Sequence, residues 1–348
     1  MIDFSVSDDA RMLLDAVERF TRERLTPELR QAETDRAPAA DTVRVYEDLG
    51  LIALEAPGAG LGMLERCLVN EALGRGDPGS ALTLDRLGPA GYALWEAEDR
   101  EGVEAIVADR GRRAWLVTPE DGTVNVTERE ASGTVHFAPA GVTDLIMLSP
   151  AGIAVVQDGI VGTQVRGAGL RAAAPVRLKL DGAPVVRFHR VPTAGVLARA
   201  RLYVASLLLG VLDAAAGYAR EYAMERVTFG KPIAHHQALA FLLTDMNTAV
   251  SGCRLLIQEA AWRLDSGAAP GAAVEAAATA FAEVVEQSAF VGPNGVQVLG
   301  GLGFMQDYPV EKYMRESRAL GLLYGGVDLA RSDAMHDPDT ALMAEGTF

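Results

Sequence analysis

The sequence predicts an α+β protein whose helices and strands are segregated along the chain: a helical region, a small sheet, then long helices. Two observations carry this. Apolar residues recur at spacings of three and four as far as about residue 111 and again after Pro192, whereas between Trp115 and Leu197 the period changes to two. Helical and strand patterns also fail to alternate, which argues against the βαβ layout of a dinucleotide-binding fold. At 348 residues, 49% of them hydrophobic and 23% charged, the chain can bury a sizeable core in two or three modules. The expected divisions are 1–113, 114–197 and 198–348.

In the first region Leu13, Val17 and Phe20 form an apolar stripe, with Ser7 as the cap in front of it. Pro27, Pro38, Pro57 and Pro78 are expected to divide the region into four or five short helices, because proline lacks the amide and clashes inside a helix. In the middle region Thr123–Val126, Thr134–Phe137 and Val176–Leu180 alternate apolar and polar residues between glycines, the pattern of half-buried strands. The helical period then returns in blocks at about 199–227, 237–267, 271–298 and 309–320. Gly230-Lys231-Pro232, Gly267 to Gly271 and Gly300-Gly301 punctuate them.

Composition excludes several classes of function. The net charge of −15 repels nucleic acid, which is not expected as a partner. Cys67 and Cys253 are the only cysteines and stand far apart in apolar surroundings, which supports neither a disulfide framework nor a metal site. The start of the chain is acidic and lacks an apolar core, so no secretory signal is expected and the cytoplasm is the predicted compartment. The most apolar stretch, Leu202 to Ala219, carries Asp213 near its middle and reads as a buried helix, so no membrane association is expected.

The most specific text lies in the last third. Met224-Glu225-Arg226-Val227-Thr228-Phe229-Gly230-Lys231-Pro232-Ile233 is followed by Gln237. Further on come Val296-Gln297-Val298-Leu299-Gly300-Gly301 and Tyr308-Pro309-Val310-Glu311-Lys312. With Leu49-Gly50-Leu51 and Glu71 to Asp77 near the start, these motifs resemble the acyl-CoA dehydrogenases, flavoproteins that oxidise the α,β bond of an acyl-CoA thioester. The resemblance covers nearly the whole chain. It implies a helical N-terminal domain, a middle β-barrel or sheet domain and a C-terminal four-helix bundle. It also implies FAD as cofactor, an acyl-CoA substrate, a tetramer of like or homologous subunits, and an electron-transfer flavoprotein as acceptor.

Chemically, Arg226 offers a planar guanidinium for a phosphate, and Gly300 and Gly301 allow backbone amides to approach an anion. The resemblance sets these residues, with Phe229, Gln237 and Gln297, against the flavin of a neighbouring subunit. It also matches Arg201 to an arginine that supports the substrate pocket, since Arg201 stands 25 residues before Arg226.

At the chemistry the text departs from the family. The base glutamate that removes the α-proton normally precedes the glycine of a Tyr-Glu-Gly-Thr string, and here the string is Tyr324-Gly325-Gly326-Val327. The alternative family position, just before the arginine, holds Ala200. Both base positions are empty, so no catalytic residue is assigned. The flavin-binding string of the middle domain is shortened to Val117-Thr118-Pro119-Glu120-Asp121-Gly122-Thr123, and the Trp-x-Thr strand is replaced by His136-Phe137-Ala138-Pro139.

The expectation is a subunit that lacks its own base and an intact flavin pocket but completes that of a homologous partner, as in heteromeric bacterial steroid-degradation enzymes of this family. Two alternatives stay open. One is an active homotetramer whose base has moved to Asp328 or Asp213, with Glu225 a further carboxylate to consider. The other is a scaffold that keeps the fold without flavin.

Overall fold

A computed structural model describes residues 3–54 and 56–335; the outer ends of the first and third regions lie outside these residues. Helix α1 (Asp8–Phe20) starts where the cap requires, with Ser7 Oγ accepting from the Ala10 amide at 3.2 Å. Pro27 does not end it. The chain continues through one wide turn into α2 (Thr26–Asp35), whose first turn accommodates the proline because an amide there needs no helical partner.

Helices α3 (Ala40–Asp48), α4 (Leu51–Leu54), α5 (Met63–Gly76), α6 (Pro78–Leu84), α7 (Ala90–Glu96) and α8 (Arg100–Ala108) complete the first region. The described residues thus hold eight short helices rather than four or five. There are three additional breaks: Gly50, with φ +68°, parts α3 from α4, and two are aspartate turns, in which Asp85 Oδ1 accepts from the amides of Leu87 and Gly88 and Asp99 Oδ1 accepts from Gly102.

The middle region forms one seven-stranded sheet from β1 (Ala114–Val117), β2 (Gly122–Val126), β3 (Glu130–Ala138), β4 (Asp144–Ser149), β5 (Gly152–Val156), β6 (Ile160–Gln164) and β7 (Val176–His189). The order is β1-β4-β5-β7-β3-β2, with β6 also paired to β7. Strand β7 joins the two halves. Its first part, Val176–Leu180, lies between β3 and β6, and its last part, Val185–His189, pairs with β5. Strands β4 and β5 are almost wholly buried, which is why their sequence reads as apolar runs rather than as alternation.

The long helices match the sequence blocks: α9 (Ala194–Glu225), α10 (Gln237–Asp265), α11 (Pro270–Leu299) and α12 (Val310–Leu320), followed by the short α13 (Gly326–Ala334). Helix α9 is the core of the bundle. It is long and apolar enough to cross a membrane, yet 83% of its most apolar window is buried within the protein. Helices α5 and α9 approach closely, because a Cβ at Gly74 would run into the Leu207 carbonyl and one at Gly210 into that of Glu71. Both cysteines are buried, and burial pushes their thiols up to about 12, which leaves them unreactive.

Candidate functional site

A cleft of about 820 Å³ lies between the sheet and helices α11 and α12. His136 and Phe137 of β3 line one wall, and Met314 and Arg318 of α12 the other, so the edited strand still faces the cleft. The Val165–Leu170 segment makes a third wall, opened by Gly167 and Gly169. Three bonds tie that segment down. The Leu170 amide donates to Glu316 Oε2 at 2.6 Å, Arg36 Nη2 donates to the Val165 carbonyl at 3.0 Å, and Arg315 donates to the Ala168 carbonyl.

Glu316 belongs to a buried triad. Lys312 Nζ donates to Glu316 Oε1 at 2.8 Å and to Asp77 Oδ1 at 2.7 Å, and all three side chains are at most 1% exposed. Burial alone would lower the Lys312 ammonium, but Asp77 and Glu316 hold it above its ordinary value. Burial pushes the Glu316 carboxyl up, against the pull of Lys312. One of the chain's three lysines therefore welds the first region, α12 and the cleft wall together, at a position the sequence marked only as part of a motif.

The two altered motifs meet at the cleft. Asp121, in the shortened string, lines it, and Asp121 Oδ1 accepts from the Tyr324 amide at 3.1 Å. Its Oδ2 accepts from the amide and hydroxyl of Thr118, at 2.8 and 3.0 Å. Burial holds this carboxyl above the usual range despite those donors. Tyr324 is 1% exposed and stacks on Trp115, with ring centroids 6.5 Å apart. Sequence reading missed Asp121, because the contact spans 203 residues and leaves no local signal.

The two positions expected from the sequence to hold the base, Gly325 and Ala200, carry no side chain with acid or base chemistry. Ala200 is fully buried in α9. Gly325 has φ +86°, and a Cβ there would collide with Leu329. Restoring the glutamate by Gly325→Glu is expected to cost about 1–2 kcal/mol from the left-handed backbone alone and to yield no dehydrogenase activity from this chain by itself. Thermal unfolding and acceptor reduction measure the two effects.

Among the replacement carboxylates, Asp213 is already engaged and lies away from the cleft. Its Oδ2 accepts from Arg75 Nε at 2.8 Å and its Oδ1 from Arg254 Nη2 at 3.1 Å, beside Glu71. Glu225 ends α9 on the surface. Asp328 is exposed in a smaller pocket of about 450 Å³ that it shares with Gly325 and Gly326. Arg201 is 1% exposed, and its Nη1 meets Asp333 Oδ2 at 2.6 Å.

The six residues matched to a neighbour's flavin all lie on the surface. Phe229 is 91% exposed with φ +54°, and Arg226 has no ion pair or side-chain hydrogen bond with any described residue. Gly300 (φ +60°) and Gly301 have open space where a Cβ would stand. Topology gathers them. The four-residue connection 266–269 turns α10 back into α11. Arg254 of α10 reaches Asp213 of α9 just as Asp265 caps α5, so α9 and α10 are antiparallel. The end of α9, the start of α10 and the end of α11 therefore share one end of the bundle. Tyr222 and Tyr308, with centroids 6.4 Å apart, join the Arg226 and Gly300 segments there.

Residues 7–95 match the acyl-CoA dehydrogenase N-terminal domain and residues 190–334 the acyl-CoA dehydrogenase C-terminal domain. The chain belongs to the acyl-CoA dehydrogenase family. Members of this family are oxidoreductases acting on a CH–CH bond, and they bind FAD. Both matches leave out the middle sheet.

Benzylmalonyl-CoA dehydrogenase of Aromatoleum aromaticum is 27% identical over 93% of this chain and 96% of its own length. In fold, the chain resembles the ChsE4-ChsE5 complex of Mycobacterium tuberculosis, with TM-score 0.80, 24% identity and all of both chains covered. A two-component steroid acyl-CoA dehydrogenase superposes at TM-score 0.79, with 23% identity over 97% of this chain and 98% of that one. The acyl-CoA dehydrogenase fold is thus complete here, with the helical first region, the curled sheet and the helical bundle in family order.

Proposed function

We propose that this chain is a subunit of a heteromeric acyl-CoA dehydrogenase. It lacks the base and presents Arg226, Phe229, Gln237, Gln297, Gly300 and Gly301 to the FAD of a homologous partner, with Arg201 supporting the pocket region. The observation that carries this reading is the contrast between the two sets of residues. The clamp is exposed, with a guanidinium that pairs with no described residue and an open glycine pair, both suited to a diphosphate, and with the Phe229 ring, edge-on to His236 yet 91% exposed, suited to a flat ring system. The base loop is closed against Leu329 around a glycine.

FAD would accept the hydride in the reaction. The chain's own residues bind and orient it from outside, while the proton is left to a carboxylate of the partner. The two-component structures of like fold support a partner of the same family, and one of them is a steroid enzyme, so a steroid side-chain acyl-CoA is the substrate class we favour. A cytoplasmic setting and an electron-transfer flavoprotein as acceptor accompany the reading.

Flavin stoichiometry tests it. The chain purified alone is expected to hold no tightly bound flavin, and its complex with a co-encoded homologue about one flavin per pair of subunits. One flavin per subunit in the lone chain, with reduction by an acyl-CoA, would overturn the proposal and favour the active homotetramer.

A further inference from the structure

The third wall of the cleft has little hold on the hydrophobic core. Val165 is half-buried, Arg166 and Ala168 are exposed, and Gly167 and Gly169 carry no side chain. Its two ends are fixed. The Val165 amide donates to the Pro175 carbonyl at 2.9 Å, and Leu170 is 1% exposed and packs in the core. Residues 166–169 therefore span the gap between these ends with no apolar anchor of their own.

Guanidiniums set their position instead. Beside the bonds from Arg36 to the Val165 carbonyl and from Arg315 to that of Ala168, Arg171 Nε donates to the Gly167 carbonyl at 3.0 Å. One carboxylate joins two of these arginines: Glu33 Oε1 lies 2.8 Å from Arg315 Nη1 and 3.3 Å from Arg171 Nη1. Burial alone would raise the Glu33 carboxyl, but Arg315, with Lys312 and Arg30, holds it below its ordinary value and keeps it charged.

The wall rests directly on α12. A Cβ at Gly169 would stand 2.6 Å from the Arg315 carbonyl and 2.9 Å from Ala319 Cβ, so this approach requires glycine. Ala319, which lines the cleft, is half-buried beneath it. Leu170, at one end, has φ +54° and ψ +33°, a strained left-handed conformation for a residue with a side chain, while Glu316 holds its amide.

We propose that residues 166–169 are a gate over the cleft, latched onto α12 by Arg36, Arg171 and Arg315. The gate opens by lifting off α12 between Val165 and Leu170, which uncovers Ala319 and widens the way into the apolar cleft. Glu33 is a positioning residue outside the cleft, because it orients two of the three latch arginines. Opening breaks hydrogen bonds but exposes no core side chain, so the surrounding fold stays intact. The inference does not rest on the flavin reading, since gate, latch and cleft all belong to this chain.

Thiol labelling of the full chain tests it. Cys67 and Cys253 are buried, so Ala319→Cys supplies the reactive thiol, and its alkylation by iodoacetamide is followed by mass spectrometry. Arg36→Met combined with Arg171→Met removes two latch bonds and leaves Arg315 in place. The pair should speed labelling at position 319 by about tenfold or more, the worth of one charge-assisted bond. Glu33→Gln, which keeps the shape and removes the charge, should speed it by about threefold. Cys67 and Cys253 should stay unlabelled in both backgrounds, because they open only with the fold itself. An unchanged rate at position 319 in both backgrounds would overturn the proposal. So would labelling of Cys67 and Cys253 that rises in step with it, which would mean a general loosening rather than a gate.

Discussion

In the complex with a flavin-holding homologue, Arg226→Ala combined with Phe229→Ala is expected to weaken FAD retention by about 10- to 100-fold while the unfolding temperature of this chain stays the same. A charge-assisted contact to a phosphate contributes about 1.5–3 kcal/mol, and each 1.4 kcal/mol is a factor of ten in affinity. The fold should not notice, because Arg226 makes no side-chain bond to a described residue and Phe229 is 91% exposed. Flavin released on dilution, followed by fluorescence, gives the first quantity and calorimetry the second. Unchanged retention would remove the clamp role from these residues. A fall in stability would instead make them structural.

Lys312→Met is expected to be the most damaging single substitution outside the helix core, at about 3–5 kcal/mol, the cost of leaving a buried charge without its partner. Asp77 and Glu316 would then face each other in a site where all three side chains are at most 1% exposed. The damage should spread to the cleft, because Glu316 also holds the Leu170 amide at 2.6 Å. Urea unfolding measures the loss. Replacing the whole triad by Asp77→Asn, Lys312→Met and Glu316→Gln should recover part of it, since a neutral set leaves no unpaired charge. A loss under 1 kcal/mol for the single variant would show that water reaches the site.

Much of the architecture was legible because it is written in local periodicity. Helices α9 to α12 fall where the spacing of three and four returns, and the middle strands fall where it changes to two. The helix count in the first region was not legible. Two of its three extra breaks come from Asp85 and Asp99 folding back onto nearby amides, and an aspartate in sequence does not declare whether it will do so. At the site, Gly325 and Ala200 could be read directly as residues with no acid or base chemistry, because glycine and alanine carry no titratable group in any conformation. The fate of Asp213 could not. Its sequence context shows a lone carboxylate in an apolar helix, and only the fold brings Arg75 and Arg254 to it.

By itself, then, the sequence determined the family, the order of helices and sheet and the acidic balance of charge. All of these rest on residue identity or on short-range pattern. The tertiary structure decided which polar and charged groups meet. Asp121 with Tyr324, Lys312 with Asp77 and Arg201 with Asp333 are contacts between residues more than a hundred positions apart. Such pairs form because burial removes water and forces each charge to find a partner, and which partner is within reach depends on how the helices pack rather than on any spacing along the chain.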